Sequence, residues 1–181
     1  ILLVNLSKGR LGEINANLIG MIIVGKLLMA ALSRSDSIGT DFPPFYLYID
    51  EFQNITTNSI SSILSEARKY KLSLTVAHQF IAQLDEKIRD AVFGNVGSMA
   101  LFRVGSEDAH ALEKQLEPTF TANDLMNIEN RNAYMRIIAQ GVPTTPFSMH
   151  TMDLPKPDLD YARELIEYSL LRYGTPRDEV E

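Results

Sequence analysis

The feature that most constrains the fold is a run of large apolar and aromatic residues, 45–49, that ends in two adjacent carboxylates, Asp50 and Glu51. Two prolines, Pro43 and Pro44, precede the run. This pattern predicts a β-strand that is buried on both faces. Because unpaired acids are costly to bury, we expect both carboxylates to emerge at the carboxyl end of the strand. That edge is where open α/β sheets bind their ligands.

The acidic pair has two interpretations. An Asp followed by a Glu at the end of such a strand is typical of the Walker B element of P-loop ATPases. There, the Asp binds the Mg²⁺ of the nucleotide and the Glu orients and polarises the attacking water. Alternatively, Asp50 and Glu51 cap the next helix, since short motifs often occur by chance. The strand alone leaves both interpretations open.

The composition limits the possible function classes. The 181 residues suit one domain with a substantial core, and 45% hydrophobic and 22% charged residues are ordinary for a globular chain. A net charge of -6 excludes a broadly basic surface, so any DNA contact must come from local basic loops. The absence of Cys excludes disulfides and thiolate metal sites, and the three His lack metal-ligand spacing.

The start of the chain suggests that it belongs to a longer protein. It begins at Ile1 without Met, inside the strand-like apolar run Ile1–Leu6. That run lacks the basic region and cleavage site of a signal peptide. We therefore expect the sequence to be a piece of a longer polypeptide.

Strand-like and helix-like patterns alternate along most of the chain, which predicts an α/β fold whose mostly parallel sheet is covered by helices on both faces. The predicted strands are Ile1–Leu6, 45–49, Leu72–Ala77 and Ser98–Arg103, and the predicted helices are Ile14–Arg34, Thr57 or Asn58 to Tyr70, Asp85–Phe93 and Ser106–Leu116.

The pattern changes after Pro118. There we expect a short helix capped by Thr121, a strand hairpin, a proline-containing linker and a terminal helix. We place the domain division after residue 152, so that 153–181 form the linker and the C-terminal helix. The predicted bounds are Thr121–Asn127 for the capped helix, Ala133–Ala139 and Pro146–Met152 for the hairpin, 154–157 for the linker and Asp158–Tyr173 for the last helix.

Residues 20–26 partly match the sequence pattern of a phosphate-binding loop. They match the first seven positions of the pattern GxxxxGK[ST], but Leu27 occupies the eighth, so the hydroxyl that would bind Mg²⁺ is missing. The match also lies inside a predicted helix, whereas a phosphate-binding loop is a turn directly after a strand. We interpret Gly20 and Gly25 as sites of close helix packing and conclude that the chain contains no Walker A element.

The strand Leu72–Ala77 ends in a polar pair, His78 and Gln79. In nucleotide-hydrolysing sheets, the strand next to Walker B carries a polar residue that contacts the γ-phosphate or the attacking water. Gln79 suits this sensor position because its amide both donates and accepts hydrogen bonds. The alternative is that Gln79 caps the following turn.

Arg68 lies near the predicted end of the helix that precedes this strand. A basic residue there complements the negative end of the helix dipole. In ring ATPases, however, this edge faces the nucleotide of the neighbouring subunit, where an Arg stabilises transition-state charge in trans.

Together these motifs resemble a known family. The segments are 46–52 (Tyr-Leu-Tyr-Ile-Asp-Glu-Phe), 66–70 (Glu-Ala-Arg-Lys-Tyr), 76–79 (Val-Ala-His-Gln) and 93–104 (Phe-Gly-Asn-Val-Gly-Ser-Met-Ala-Leu-Phe-Arg-Val). Their order resembles the C-terminal half of FtsK/HerA-type DNA-pumping ATPases, and is most similar to the TraG/TraD class of type IV secretion coupling proteins. The resemblance covers residues 1–152, and the motif series is more specific than any single motif.

The resemblance implies a RecA-like fold in a hexameric ring that moves DNA by ATP hydrolysis. By matching position, Asp50 and Glu51 become the Walker B pair, with Asp50 holding Mg²⁺ through water. Gln79 becomes the sensor that contacts ATP, and Arg68 the arginine finger. The implied partners are DNA, further copies of the protein and a secretion or conjugation machinery. The implied location is the cytoplasm, at the inner face of the membrane.

The chain departs from the family pattern in lacking the phosphate-binding loop and the membrane-spanning N-terminal region, so we expect it to be inactive alone. Two other classes remain open. An AAA+ ATPase shares the Asp-Glu strand, but it usually has Asn or Thr at the sensor position and a helical lid afterwards. A non-catalytic interaction module on a nucleotide-binding scaffold would also explain the missing loop.

Overall fold

A computed structural model describes residues 1–36, 41–56, 64–155 and 160–180 of the chain. The chain divides into two compact units, residues 1–150 and 151–181. The beginning of the helix predicted from Thr57 or Asn58 lies outside the described residues, as do the first two residues of the predicted C-terminal helix.

The described helices and strands follow one another in this order: α1 (Lys8–Leu11), α2 (Glu13–Leu32), β1 (Phe45–Ile49), β2 (Leu72–Val76), α3 (Glu86–Asn95), β3 (Met99–Leu101), α4 (Ser106–Leu116), α5 (Ala122–Met126), β4 (Asn132–Arg136), β5 (Ile138–Ala139), β6 (Val142–Pro143), β7 (Phe147–His150), α6 (Ala162–Tyr173) and α7 (Arg177–Val180). Short 3-10 turns lie at Ser33–Asp36, Phe52–Asn54, Ala67–Tyr70 and Ile81–Gln83.

The sheet pairing agrees with the predicted α/β class but only partly with the predicted sheet. β1 and β2 pair in parallel, with Ile49 opposite Val76. β3, β4 and β7 form a separate antiparallel sheet, and β5 pairs with β6. The predicted strand Ser98–Arg103 therefore joins an antiparallel sheet. Its sequence pattern indicated a strand correctly, but such a pattern does not encode which strand will be the partner.

Two clusters of buried side chains hold the larger unit together. The first joins α2 and α3 to β1 and β2, and the second joins α4 and α5 to the turn that follows β2. Fully buried side chains lie in both clusters, including Phe52 in the first and Leu116 and Leu125 in the second. The prediction that β1 is buried on both faces is wrong, because Phe45, Tyr46 and Tyr48 are exposed and only Ile49, at the end of the strand, is buried.

Helix α2 confirms that residues 20–26 are not a phosphate-binding loop. The whole segment is helical, and Gly20 is buried. A Cβ added at Gly20 would lie 2.6 Å from Cγ2 of Ile55, so this glycine permits a close approach to the loop after β1. Gly25 has open space around it, so the packing interpretation applies to Gly20 alone.

The same helix is long and apolar enough to cross a membrane, by length and composition only. Its inner side chains, among them Val24 and Leu28, pack in the first buried cluster. The predicted strand Ile1–Leu6 is wrong, because residues 1–6 form no strand. A run of apolar residues becomes a strand only where a neighbour accepts its backbone hydrogen bonds, and the apolar side chains of Ile1, Leu2 and Leu3 remain exposed.

Several helices lie where the local signals place them. α4 has the predicted bounds, and Asp85 caps α3 by accepting a hydrogen bond from the Lys87 N–H. Thr121 caps α5 as predicted. The predicted hairpin is present as the β4–β7 pair, with the small β5–β6 hairpin between the two strands. In the smaller unit, α6 has no buried residue.

Candidate functional site

Just beyond the last residue pair of β1 and β2, Ala77 makes two further backbone hydrogen bonds to the chain that leaves β1. Its N–H donates to the carbonyl oxygen of Ile49 at 2.9 Å, and its carbonyl oxygen accepts from the N–H of Phe52 at 2.9 Å. The Phe52 side chain is completely buried, which anchors the chain just beyond the two acids. Asp50 and Glu51 are therefore held between two fixed points.

The backbone of Glu51 adopts the left-handed conformation, with φ 49° and ψ 45°. A non-glycine residue rarely adopts this conformation, and such strained positions cluster at functional sites. The 3-10 turn Phe52–Asn54 follows immediately, and the Asn54 N–H donates to the carbonyl oxygen of Glu51 at 2.9 Å. The chain thus turns sharply at the residue predicted to polarise water.

Both oxygens of the Glu51 carboxylate accept hydrogen bonds from glutamine amides. Nε2 of Gln79 lies 2.5 Å from Oε1, and Nε2 of Gln53 lies 2.6 Å from Oε2. Two donors on one carboxylate restrict its orientation more than a single donor would. The structure therefore brings together Glu51 and Gln79, two of the residues selected from the sequence, although they are 28 positions apart.

Asp50 lies beside this pair with an exposed side chain. One of its oxygens, Oδ1, accepts from the backbone N–H of Glu51 at 2.9 Å. The described residues contain no group of three or more His, Cys, Asp or Glu that could hold a metal ion. A single exposed carboxylate nevertheless fits Mg²⁺ in the way nucleotide sites use it, where waters and phosphate oxygens supply the other ligands.

Arg68 lies in the 3-10 turn Ala67–Tyr70, directly before β2. Its backbone is described but its side chain is not, so its role in trans stays a prediction. The neighbouring basic residue Lys69 is exposed.

The loop after β2 is anchored to α4. The buried side chain of Asp108 accepts a hydrogen bond from the N–H of Ile81 at 3.2 Å. Burial lowers the pKa of His78, and the negative charge of Asp108 partly opposes this effect. Nδ1 of His78 is buried and has no hydrogen-bond partner among the described residues.

An open groove of about 1370 Å³ leads to the two acids. Residues 1–8, the inner side of α2 and the whole of β1 line it, and Asp50 and Glu51 lie at its margin. Its walls are mostly apolar along β1, while the carboxylates supply polar groups at the margin. The two acids can therefore be reached through this groove.

Two residues at the site were not identified from the sequence. Gln53 lies inside the informative segment, but its contact with Glu51 depends on the left-handed turn, for which the sequence gives no signal. Asp108 lies within a predicted helix and was not selected from the sequence, yet it fixes the turn that begins at Ile81.

Part of the chain is similar in sequence to a known protein family. Residues 44–115, from just before β1 almost to the end of α4, match a protein-family model described as the TraM recognition site of TraD and TraG. The TraG/TraD resemblance is confirmed over these residues. The chain is thus similar in sequence to a class of type IV secretion coupling proteins.

Two solved structures are also similar to the chain. The bacterial conjugative coupling protein TrwBdeltaN70, in an unbound monoclinic form, has a TM-score of 0.53 and 16% identity, over 65% of this chain and 33% of that one. VirB4 of Thermoanaerobacter pseudethanolicus has a TM-score of 0.47 and 17% identity, over 63% of this chain and 32% of that one.

This chain spans about a third of the length of either structure. The similarity to the TrwB structure supports the predicted α/β class of the fold. No curated protein gives a match.

Proposed function

We propose that this chain forms the Walker B and sensor part of an ATP-driven DNA translocase of the TraG/TraD class. In the intact protein it would act within a hexameric ring as the coupling protein of a type IV secretion or conjugation system. The observation that carries the proposal is the Glu51 carboxylate, which is bound by two amides at the carboxyl ends of two parallel strands.

Each site residue has a role in this proposal. Asp50 is exposed beside Glu51 and would hold Mg²⁺ together with waters and nucleotide phosphates. Glu51 would orient the attacking water and accept its proton. Gln79 already donates to Glu51, so its amide would lie within reach of the same water. Bound ATP supplies the phosphoanhydride bond that is hydrolysed.

The phosphate-binding loop would come from residues outside this chain, since no part of the sequence matches the full GxxxxGK[ST] pattern. Backbone amides and a Lys in such a loop hold the triphosphate. We therefore expect the isolated chain to bind MgATP weakly. In the proposed protein, DNA would pass through the ring, at the cytoplasmic face of the inner membrane.

A second role for the same segment is supported by the description of the matching family model, a site in TraD and TraG that TraM recognises. We propose that residues 44–115 also include a surface for an accessory protein of the conjugation machinery. This role is compatible with catalysis, and it would remain if the segment proved to be a non-catalytic interaction module.

The proposal is tested by Glu51→Gln in the full-length parent. The substitution keeps the shape of the side chain but removes the charge that polarises water. We expect MgATP to bind with unchanged affinity and turnover to fall by about 10²–10⁴-fold, the usual contribution of a positioned general base. Steady-state ATPase activity and nucleotide titration measure the two effects.

Glu107→Gln is the matched control, because it makes the same chemical change at an exposed residue of the first turn of α4. This variant should retain full activity. If Glu51→Gln hydrolysed ATP at the wild-type rate, Glu51 would have no part in the mechanism and the interaction-module function would be favoured.

A further inference from the structure

We infer that Gln53 is a positioning residue for Glu51: its amide fixes the carboxylate in the orientation required for turnover. This inference rests on the proposed function of Glu51 as the residue that polarises water. It is based on three observations, namely the contact itself, an unpaired buried atom and the backbone conformation of Glu51.

The contact is direct. Nε2 of Gln53 donates to Oε2 of Glu51 at 2.6 Å, while Gln79 occupies the other oxygen. A carboxylate held at both oxygens has its rotation about the last side-chain bond restricted. The two amides come from different loops, so the orientation of Glu51 depends on both strand ends.

The two amides differ in exposure. Gln79 is exposed, whereas Gln53 is half-buried. An exposed amide can exchange its partner for water or a phosphate oxygen at little cost, which suits a sensor. A half-buried amide is restricted by its neighbours and keeps its partner, which suits a residue that holds the Glu51 carboxylate in position. We therefore assign the permanent contact to Gln53.

The oxygen of the Gln53 amide is unfavourable for the stability of the fold. Its oxygen, Oε1, is buried and has no hydrogen-bond partner among the described residues. Flipping the amide would not help, because the oxygen would then face the Glu51 carboxylate and repel it. A buried acceptor without a partner destabilises a fold, so an apolar residue of the same length would serve stability better at this position.

The backbone brings the two side chains together. The left-handed conformation of Glu51 and the 3-10 turn after it return Gln53 towards a residue only two positions earlier. Burial of Phe52 between them fixes this turn. Strain at Glu51 and an unpaired atom at Gln53 thus occur within three consecutive residues, as is common at functional sites.

The test is Gln53→Met in the full-length parent. Met has a similar length and lacks both the donor and the unpaired oxygen. We expect kcat to fall about tenfold or more, as when a residue that orients a functional ligand is removed. The KM for ATP and the affinity for MgATP should stay unchanged, and the thermal midpoint should stay equal or rise.

Gln83→Met is the matched control, since it makes the same chemical change at an exposed residue in another turn. It should leave kcat unchanged. If Gln53→Met lowered the thermal midpoint along with the activity, Gln53 would be a structural residue. If it lowered neither, Glu51 would not depend on it. Either result would overturn the inference.

A third variant separates this inference from the function on which it rests. In the Glu51→Gln background, adding Gln53→Met should cause no further loss of residual turnover, because Gln53 acts through Glu51. If Glu51→Gln itself stayed active, the proposed function would fail. If Glu51→Gln were inactive while Gln53→Met kept the wild-type kcat, only the role of Gln53 would be refuted.

Discussion

The carboxylates of Glu51 and Asp124 are both held by hydrogen bonds, but in opposite ways. Asp124 accepts from the N–H and the hydroxyl of Thr121, both at 2.8 Å, and the Thr121 hydroxyl accepts from the Asp124 N–H in return. Every partner is local, and these hydrogen bonds lower the pKa of Asp124. This capping box satisfies the first turn of α5.

Glu51 is held by side chains from two loops, on a left-handed backbone and beside an amide oxygen that has no partner among the described residues. The contacts of the capping box therefore stabilise the fold. The contacts of Glu51 are instead those expected of a functional site. Substitutions in the first should lower the free energy of unfolding, whereas substitutions in the second should lower the rate.

The largest effect is expected for Arg68→Ala in the full-length parent. If Arg68 completes the site of a neighbouring subunit, its removal should lower turnover by roughly 10³–10⁵-fold while ATP still binds. Arg68→Lys should recover little activity, since Lys lacks the planar group that spans two phosphate oxygens. The ATPase rate and nucleotide affinity of each variant measure this.

Mixing subunits tests the action in trans. Arg68→Ala and Glu51→Gln subunits, each inactive alone, should regain activity together, because an interface with wild-type Glu51 on one side and wild-type Arg68 on the other is complete. Lys69→Ala removes the other basic residue of the same 3-10 turn; it is the control and should remain active. If mixed rings formed without activity, or if the Arg68→Ala variant remained active, Arg68 would have no role in trans. It would then only complement the negative end of the helix dipole.

A smaller effect is expected at the capping box. Thr121→Ala should lower the free energy of unfolding by about 1 kcal/mol, the typical cost of removing an N-cap side chain. It should leave the kcat of the parent unchanged, which is the reverse of the result expected for Gln53→Met. Chemical denaturation of this variant and of Thr119→Ala, an exposed residue in the preceding turn, gives the comparison. A lower kcat in the Thr121→Ala variant would contradict the assignment of the capping box to stability alone.

The smallest effect is expected for His78, one residue before Gln79. Because burial lowers its pKa below the ordinary 6.5, the unfolded chain binds a proton more readily than the folded chain. Stability is therefore lost as the pH falls from 6.5 towards the lowered folded value. His78→Gln should lose less stability over this window. Denaturation curves above and below pH 6.5 measure the difference, and equal losses would contradict the assignment.

How much the sequence could predict depends on the range of each interaction. The bounds of α4 and the cap of α5 were predicted because acids in a first turn and a Thr before a helix act locally. The contact between Glu51 and Gln79 could be anticipated because the carboxyl ends of two parallel strands meet at one edge.

Other features depend on partners far away in the chain. The antiparallel pairing of β3 with β4 and the lack of a strand at residues 1–6 reflect which backbones meet, and a run of apolar residues does not specify this. The role of Gln53 depends on the left-handed conformation of Glu51, which the side chains around it give no reason to expect. Long-range pairing and local strain were therefore the features that required a structure.

The two hydrogen bonds of Ala77 have a mechanical consequence. Its N–H and carbonyl groups hold the chain on either side of the acidic pair, while Gln79 follows it two residues later. Ala77 therefore connects the two strand ends. A displacement of the loop that carries Gln79 would be passed through these hydrogen bonds to the segment that carries Glu51. Because Ile49 and Phe52 both belong to the first buried cluster, that cluster would resist such a displacement and would keep the two strand ends at a constant separation.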